Sequence, residues 1–226
     1  EDAKDCPTLK TPVAKDDLYW LTNNNKSIKI PSWLMPKSLH NKGNYIISLG
    51  ELCQWISEKA MELGVDIFPG FPAQKYLTDE SGRVIGIATG DMGIDKEGNQ
   101  KGTYTPGMDI LAKQTIFAEG ARGHLGKKLI KEFNLDKGKT PQHFAIGFKE
   151  VWEVDNDKHS PGDVVHSMGW PLKGGTSGGG FLYHFDNNRI AVGLIVDLNY
   201  SNPSHSPFQE FQQFKQHPSI KQYLES

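Results

Sequence analysis

The sequence predicts a mixed α/β fold of the α+β kind, and three observations carry that expectation. Leu49, Leu52, Cys53, Ile56, Ala60 and Leu63 recur at the i, i+3, i+4, i+7 spacing of one apolar helix face. Residues 114–118 (QTIFA) have strand composition and run through a glycine-containing turn into a second helical pattern at about 124–133. Beyond Thr140 the texture becomes β-rich, with strand-like runs at 144–154, 164–170, 181–185 and 190–198 separated by turn clusters, as in a sheet of antiparallel character.

A chain of 226 residues is long enough for one large domain or two small ones. Its net charge of −2, with no basic stripe, excludes a nucleic-acid surface. No apolar run reaches the length of a membrane-spanning helix and the first residues lack a secretory layout, so any membrane contact is expected to be peripheral. Two cysteines, Cys6 and Cys53, form no CxxC clip and too few thiolates for an intrinsic iron–sulfur site, and both read as reduced thiols. No internal repeat is present. The chain opens without methionine and stops after His217 to Ser226 without a terminating pattern, so it is expected to be a piece of a longer protein.

Prolines at 7, 12, 31 and 36 among Asn and Lys predict an extended, irregular arm over the first forty residues. Its large hydrophobes, Leu18, Tyr19, Trp20, Leu21, Ile28, Ile30, Trp33, Leu34 and Met35, are flanked by Lys26, Lys29 and Lys37. The helix that follows has marked ends: Ser48 with Glu51 three residues on is a capping box, and Gly64 supplies a left-handed stop. Residues 65–68 then read as a short buried strand. Residues 73–77 and 83–89 flank a turn at 79–82 and predict a hairpin, and a second excursion turns around Lys96, Glu97 and Gly98. Residues 207–224 read as helical.

Two glycine-containing segments bear on chemistry. In AEGARG, Gly120 and Gly123 let backbone approach a ligand and the following helix N-terminus offers N–H groups to an anion, while a tight strand-to-helix turn without ligand accounts for the same pattern. KGGTSGGGFLYH, residues 173–184, places five glycines between 174 and 180, which leaves bare backbone for a ligand or simply a flexible loop. No Lys-Ser/Thr follows those glycines, so it is not a Walker A loop. The formal G-x-S-x-G at Gly175, Thr176, Ser177, Gly178 and Gly179 is no nucleophile elbow, because 181–184 continues as strand rather than turning into a helix.

The blocks GNYIISLGELCQWISEKAMELGVDIFPGFPA, TIFAEGARGHLGKKLIKEFNL, GFKEVWEV, MGWPL, GGGFLYH and SPFQEFQQFKQHPSI resemble, in that order, the electron-transferring-flavoprotein:ubiquinone oxidoreductase family over essentially the whole chain. The resemblance implies part of a glutathione-reductase-type FAD domain interleaved with a β-rich quinone-binding domain. The domains expected are an arm at 1–42 with a membrane-dipping segment at about 18–39, part of the FAD-binding domain at 43–133, and a β-rich ubiquinone-binding domain at 134–226.

The resemblance further implies FAD and a [4Fe-4S] cluster in the full-length enzyme, electron transfer flavoprotein as partner, ubiquinone as acceptor, and residence on the matrix face of the mitochondrial inner membrane. The chain has neither a G-x-G-x-x-G fingerprint nor the cluster's cysteines, and is expected to be inactive alone. By the resemblance, Glu119, Gly120 and Ala121 lie against FAD, and Gly178 and Gly179 bond the quinone ring through main-chain groups. The apolar arm, Leu18 to Met35, meets the bilayer, with burial in the protein's own core as the alternative. His184 is a candidate proton source near the quinone loop. Three positions depart from the family pattern: Ser177 where Tyr is common, Gly180 where Ser is common, and Ser48 where Arg is frequent. A flavin monooxygenase, a geranylgeranyl-reductase-like enzyme and a non-catalytic membrane-docking module are the competing readings.

Overall fold

The computed structural model describes residues 6–173 and 175–224; Gly174 of the glycine-rich motif and the extreme ends of the chain lie outside them. In chain order the strands and helices are β1 (Thr11–Pro12), β2 (Lys15–Leu21), β3 (Ser27–Ile30), β4 (Tyr45–Ile46), α1 (Leu49–Glu62), β5 (Ala73–Thr78), β6 (Val84–Thr89), β7 (Met92–Ile94), β8 (Gln100–Thr105), β9 (Asp109–Leu111), α2 (His124–Glu132), β10 (Ala145–Glu153), β11 (Asp163–Gly169), β12 (Gly178–His184), β13 (Arg189–Asp197), α3 (Pro207–Gln216) and α4 (Pro218–Leu224). They form two compact units, Glu1–Gly64 with Gln142–Ser226, and Val65–Pro141.

The first unit is built on a six-stranded sheet of order β10-β13-β12-β11-β2-β3. All four strands expected beyond Thr140 are present, paired antiparallel, and β2 joins them parallel to β11. Residues 15–30 are therefore strands of this sheet, which corrects the irregular arm: the pairing partner of β2 lies far along the chain, where local proline and asparagine signals carry no information about it. Leu18 faces His166 in register and Leu21 faces Gly169, and both leucines are buried. The buried carboxylate of Asp17 anchors this edge, with Lys29 Nζ at 2.7 Å and Lys15 Nζ at 3.2 Å.

Alternation of side chains divides the sheet into two faces. Leu182, Ile190, Val192, Leu194 and Val196 point beneath α3 and α4 and form one core with Phe211, Phe214 and Ile220. Phe148 stacks on Phe211 with centroids 6.1 Å apart, and Lys215 closes over Glu150 at 2.8 Å. The expected helix at 207–224 is two helices, because Pro218 starts a new one after the extended backbone of His217.

In α1 the Ser48 hydroxyl accepts from the Glu51 N–H and Gly64 is left-handed at φ +83°, as the cap pattern predicts. Its apolar stripe, expected to be buried, is not: no α1 residue is buried and Leu49, Ile56 and Leu63 are exposed.

In the second unit β5, β6 and β9 form one sheet and β7–β8 a separate hairpin, both excursions where the turn residues place them. The Asp79 carboxylate accepts from the Ser81 and Arg83 N–H groups to hold the first turn. Residues 65–68 and 114–118 belong to no sheet, which corrects two expected strands; Val65, Phe68 and Ile116 are exposed. A strand exists only where another edge accepts its hydrogen bonds, and no described strand offers one.

His184 is wholly enclosed, its Nδ1 accepting from the Ser160 N–H at 3.1 Å and its ring 5.0 Å from Tyr223. Burial, reinforced by His159 and Lys15, pushes its pKa down to about 4. The unfolded chain takes up the proton first, so this contribution is complete above about pH 6.5 and is lost as pH falls toward 4. Denaturant titrations at pH 7.5 and 4.5 are expected to show a loss of up to about 3 kcal/mol, with a shallower pH slope in His184→Asn, which keeps an acceptor for Ser160.

Candidate functional site

The bare stretch of β12 is shaped by what surrounds it. A side chain at Gly180 would enter the Phe214 ring and approach Ser167 Oγ, so α3 can seat on the sheet only because this position is glycine. Gly178 sits at φ +153° with the Ile195 carbonyl where a Cβ would go, and a Cβ at Gly179 would lie 2.8 Å from the Ser167 carbonyl oxygen. The β11–β12 register ends at Ser167 opposite Gly180. Gly178 and Gly179 are thus unpaired to β11, which continues to Gly169 along β2, while they remain paired to Val196 and Ile195 of β13. The loop before them is tied down by Asp197 N–H donating to the Ser177 carbonyl at 2.9 Å.

Gly179, Phe181 and Tyr183 point away from the helices, as do Val164 and His166 of β11. Phe181 covers the bare backbone of Gly193, its partner in register, and stacks on Tyr183 at 4.7 Å. Beyond Tyr183 opens a pocket of about 570 Å³, lined by Leu9, Val13, Tyr45, Ile47 and Val164 with His166 and Tyr183. His166 meets the edge of Tyr183 at 6.2 Å and Asn41 Nδ2 at 3.3 Å, and Asn41 is bound in turn to Asp16. Burial lowers the His166 pKa against the attraction of Asp16, and raises that of Tyr183. None of these polar residues stood out in the sequence; the one available signal was a histidine at an alternate position of an otherwise apolar strand. His184, by contrast, lies on the helix face, opposite in parity to Gly179, which removes it as a proton source for that loop.

The Glu119–Gly120–Ala121 turn precedes α2 as expected, and Gly120 is left-handed at φ +77° with open space around it. The helix N-terminus is occupied, however. Glu119 accepts from the Leu125 N–H at 3.1 Å and from the Gly126 N–H at 2.6 Å, and these bonds hold its carboxyl below the usual range. A negative side chain at the positive end of the helix dipole satisfies the donors that a phosphate would use. Two of the amides expected to face an anion are thus bonded within the chain. Glu119 and the bare backbone of Gly120 and Ala121 remain as an exposed turn.

The apolar residues of the former arm divide. Leu18, Leu21 and Met35 are buried, which corrects them as bilayer contacts, and Tyr19 and Ile30 are half-buried. Trp20 pairs across strands with Ile28, and with Trp33 (78% exposed) and Leu34 these side chains reach solvent. Among the described residues no helix is long and apolar enough to cross a membrane. Cys6 is buried against Thr8 and Cys53 is exposed, both as free thiols. No group of three or more His, Cys, Asp or Glu among the described residues could hold a metal, so the side chains present do not fit an iron–sulfur cluster.

The architecture is similar to that of a geranylgeranyl bacteriochlorophyll reductase-like protein from Thermoplasma acidophilum, with a TM-score of 0.60 at 16% identity over 93% of this chain and 47% of that one. The mixed α/β fold is thus shared with that protein, and with a structure described as a flavoprotein/dehydrogenase from Cytophaga hutchinsonii at a TM-score of 0.52 and 13% identity over 93% of this chain and 46% of that one. Residues 144–226, which contain the β12 glycines and α3, match the family model described as ETF-QO, ubiquinone-binding. The electron transfer flavoprotein-ubiquinone oxidoreductase of Pseudomonas aeruginosa is 58% identical over 96% of this chain, and the human one, named mitochondrial, is 46% identical over 96%. The chain belongs to the electron transfer flavoprotein-ubiquinone oxidoreductase family, and spans 40% and 35% of the length of those two relatives.

Replacing Glu119 by Ala removes the acceptor for two α2 amides, so hydrogen exchange at Leu125 and Gly126 is expected to accelerate while exchange at the core amide of Leu182 is unchanged. Equal protection in the variant would mean the carboxylate does not hold the helix.

Proposed function

We propose that the full-length protein is an oxidoreductase that accepts electrons from electron transfer flavoprotein and reduces ubiquinone at the open sheet face of the first unit. The observation that carries this reading is the backbone of Gly178 and Gly179, which is unpaired on its β11 side within the segment that matches the ubiquinone-binding family model. A neutral quinone asks for an apolar surface and one or two donors at its carbonyl oxygens, and a side chain at these positions would bar the approach. The reaction adds two electrons and two protons to the quinone to form the quinol, and bound FAD would supply the electrons. This chain contributes the surface: Phe181 and Tyr183 give a flat aromatic wall, and the strand end gives polar backbone atoms. No step is assigned to Glu119, Gly120 or Ala121 beyond contact with the flavin through open backbone, and none to an iron–sulfur cluster, for which the described residues offer no ligand group.

Access from a bilayer is proposed through the exposed side chains of Trp20, Ile28, Trp33 and Leu34, beside Lys26 and Lys37. Aromatic rings at the headgroup level and nearby cations suit a monotopic, surface-bound protein. The membrane is that of the host compartment: the human relative is named mitochondrial and the Pseudomonas relative is not. Placement on the matrix face applies where the host has mitochondria.

Two measurements test these readings. In full-length protein, Gly179→Ala puts a Cβ 2.8 Å from the Ser167 carbonyl and is expected to lower the melting temperature; assayed well below that temperature with flavin bound, it is expected to slow reoxidation of the chemically reduced flavin by a short-chain ubiquinone at least about tenfold, and an unchanged rate removes the glycine pair from the quinone site. For the membrane face, Trp33→Ser with Leu34→Ser is expected to lower co-sedimentation with vesicles containing anionic lipid by about tenfold or more, since two large side chains no longer leave water.

A further inference from the structure

Asn41 reads out the protonation state of His166. Its Oδ1 accepts from Asn44 Nδ2 at 3.4 Å, while its Nδ2 faces the Leu39 carbonyl at 3.1 Å and the Asp16 carboxylate at 3.2 Å. Two acceptors on the nitrogen side fix the orientation of the amide. The Asn41 main-chain N–H binds the same Asp16 oxygen at 2.7 Å, so the side chain that turns the amide is itself anchored. His166 Nε2, 3.3 Å from that amide nitrogen, therefore meets a group that only donates. It carries the lone pair, and the ring proton resides on Nδ1.

The remaining surroundings of His166 are apolar or aromatic: Val164 on its own strand, Leu18 opposite it on β2, and Tyr183 and Phe181 on β12. The ionisable groups that face it are Asp16, through Asn41, and the Tyr183 hydroxyl. A neutral N–H and a phenol thus stand at one wall of a largely apolar pocket that Asn41 and Asn44 also line, with no cation among the lining residues. Tyr183 lies four positions along β12 from Gly179, about 13 Å along the strand, so this pocket and the bare strand end are two stations on one face.

We propose that this pocket seats a planar, uncharged ring through a carbonyl oxygen, with His166 Nδ1–H as the donor, held in that tautomer by Asn41 and Asp16, and the Tyr183 hydroxyl as a second donor. The quinone head and the pyrimidine edge of a flavin share this chemistry, and both belong to the reaction proposed above, on which the assignment rests. His166 is then a specificity-determining residue: a ring without a carbonyl finds no partner there.

The test uses full-length protein with Gly178 and Gly179 intact, so its outcome is separate from that of the glycine variant. His166→Phe removes the donor, His166→Asn keeps an N–H near the Nδ1 position, and Tyr183→Phe removes the hydroxyl but keeps the stack on Phe181. Two readouts are followed: the dissociation constant of ubiquinone-1 by tryptophan quenching, and the absorbance bands of the bound flavin. If the ring is quinone, His166→Phe weakens ubiquinone-1 binding about tenfold with the flavin bands unmoved; if it is flavin, the bands shift and the quinone constant holds. In either case His166→Asn restores much of the effect and Tyr183→Phe gives a smaller one. Independently of any variant, ¹⁵N spectra of the unsubstituted protein are expected to show His166 protonated at Nδ1. A proton on Nε2, or a folded His166→Phe protein with both readouts unchanged, overturns the assignment.

Discussion

The absence of side chains at the start of β12 is the constraint on which the rest of this structure depends. Gly180 gives up its side-chain space to the ring of Phe214, and that ring is the centre of the contact by which α3 closes one face of the sheet. Truncating such a buried aromatic costs roughly 3–5 kcal/mol in typical cores, so the pairing of glycine with phenylalanine matters at the scale of a whole domain's stability. Gly178 admits the Ile195 carbonyl for the same kind of reason. The glycines are thus required by packing whether or not a ligand approaches, and the polar backbone they leave at the strand end is available as a consequence.

Once α3 and α4 occupy one face, parity decides the chemistry of every residue on the central strands. His184 falls on the helix side, beneath Tyr223, and becomes an enclosed neutral imidazole. His166 falls on the other side, at a pocket, with a hydrogen-bond chain behind it. Two histidines of similar composition-level promise acquire opposite meanings because a strand alternates its side chains and only one face is covered.

The apolar surfaces left exposed have two distinct characters. Trp33 and Leu34 follow a strand end beside lysines, an amphipathic arrangement of the kind found at a lipid interface. The stripe of α1 has the width and spacing of a helix face made for packing against protein, and residues 65–68 and 114–118 carry strand sequence with no neighbouring edge among the described residues.

Local sequence determined what depends on neighbours a few residues away. The extent and caps of α1, the Asp79 turn, the four strands beyond Thr140 and the break that Pro218 imposes follow from periodicity, capping and turn chemistry, although the last was not anticipated. The family resemblance was legible for the same reason, since its blocks are short contiguous strings. Only the tertiary structure decided that Leu18 and Leu21 are core rather than lipid contacts, that Glu119 bonds two amides of the α2 N-terminus, and that Asn41 stands against His166. Each of these outcomes rests on a partner brought in by the fold or on the direction in which a side chain turns. Neither is encoded in spacing along the chain.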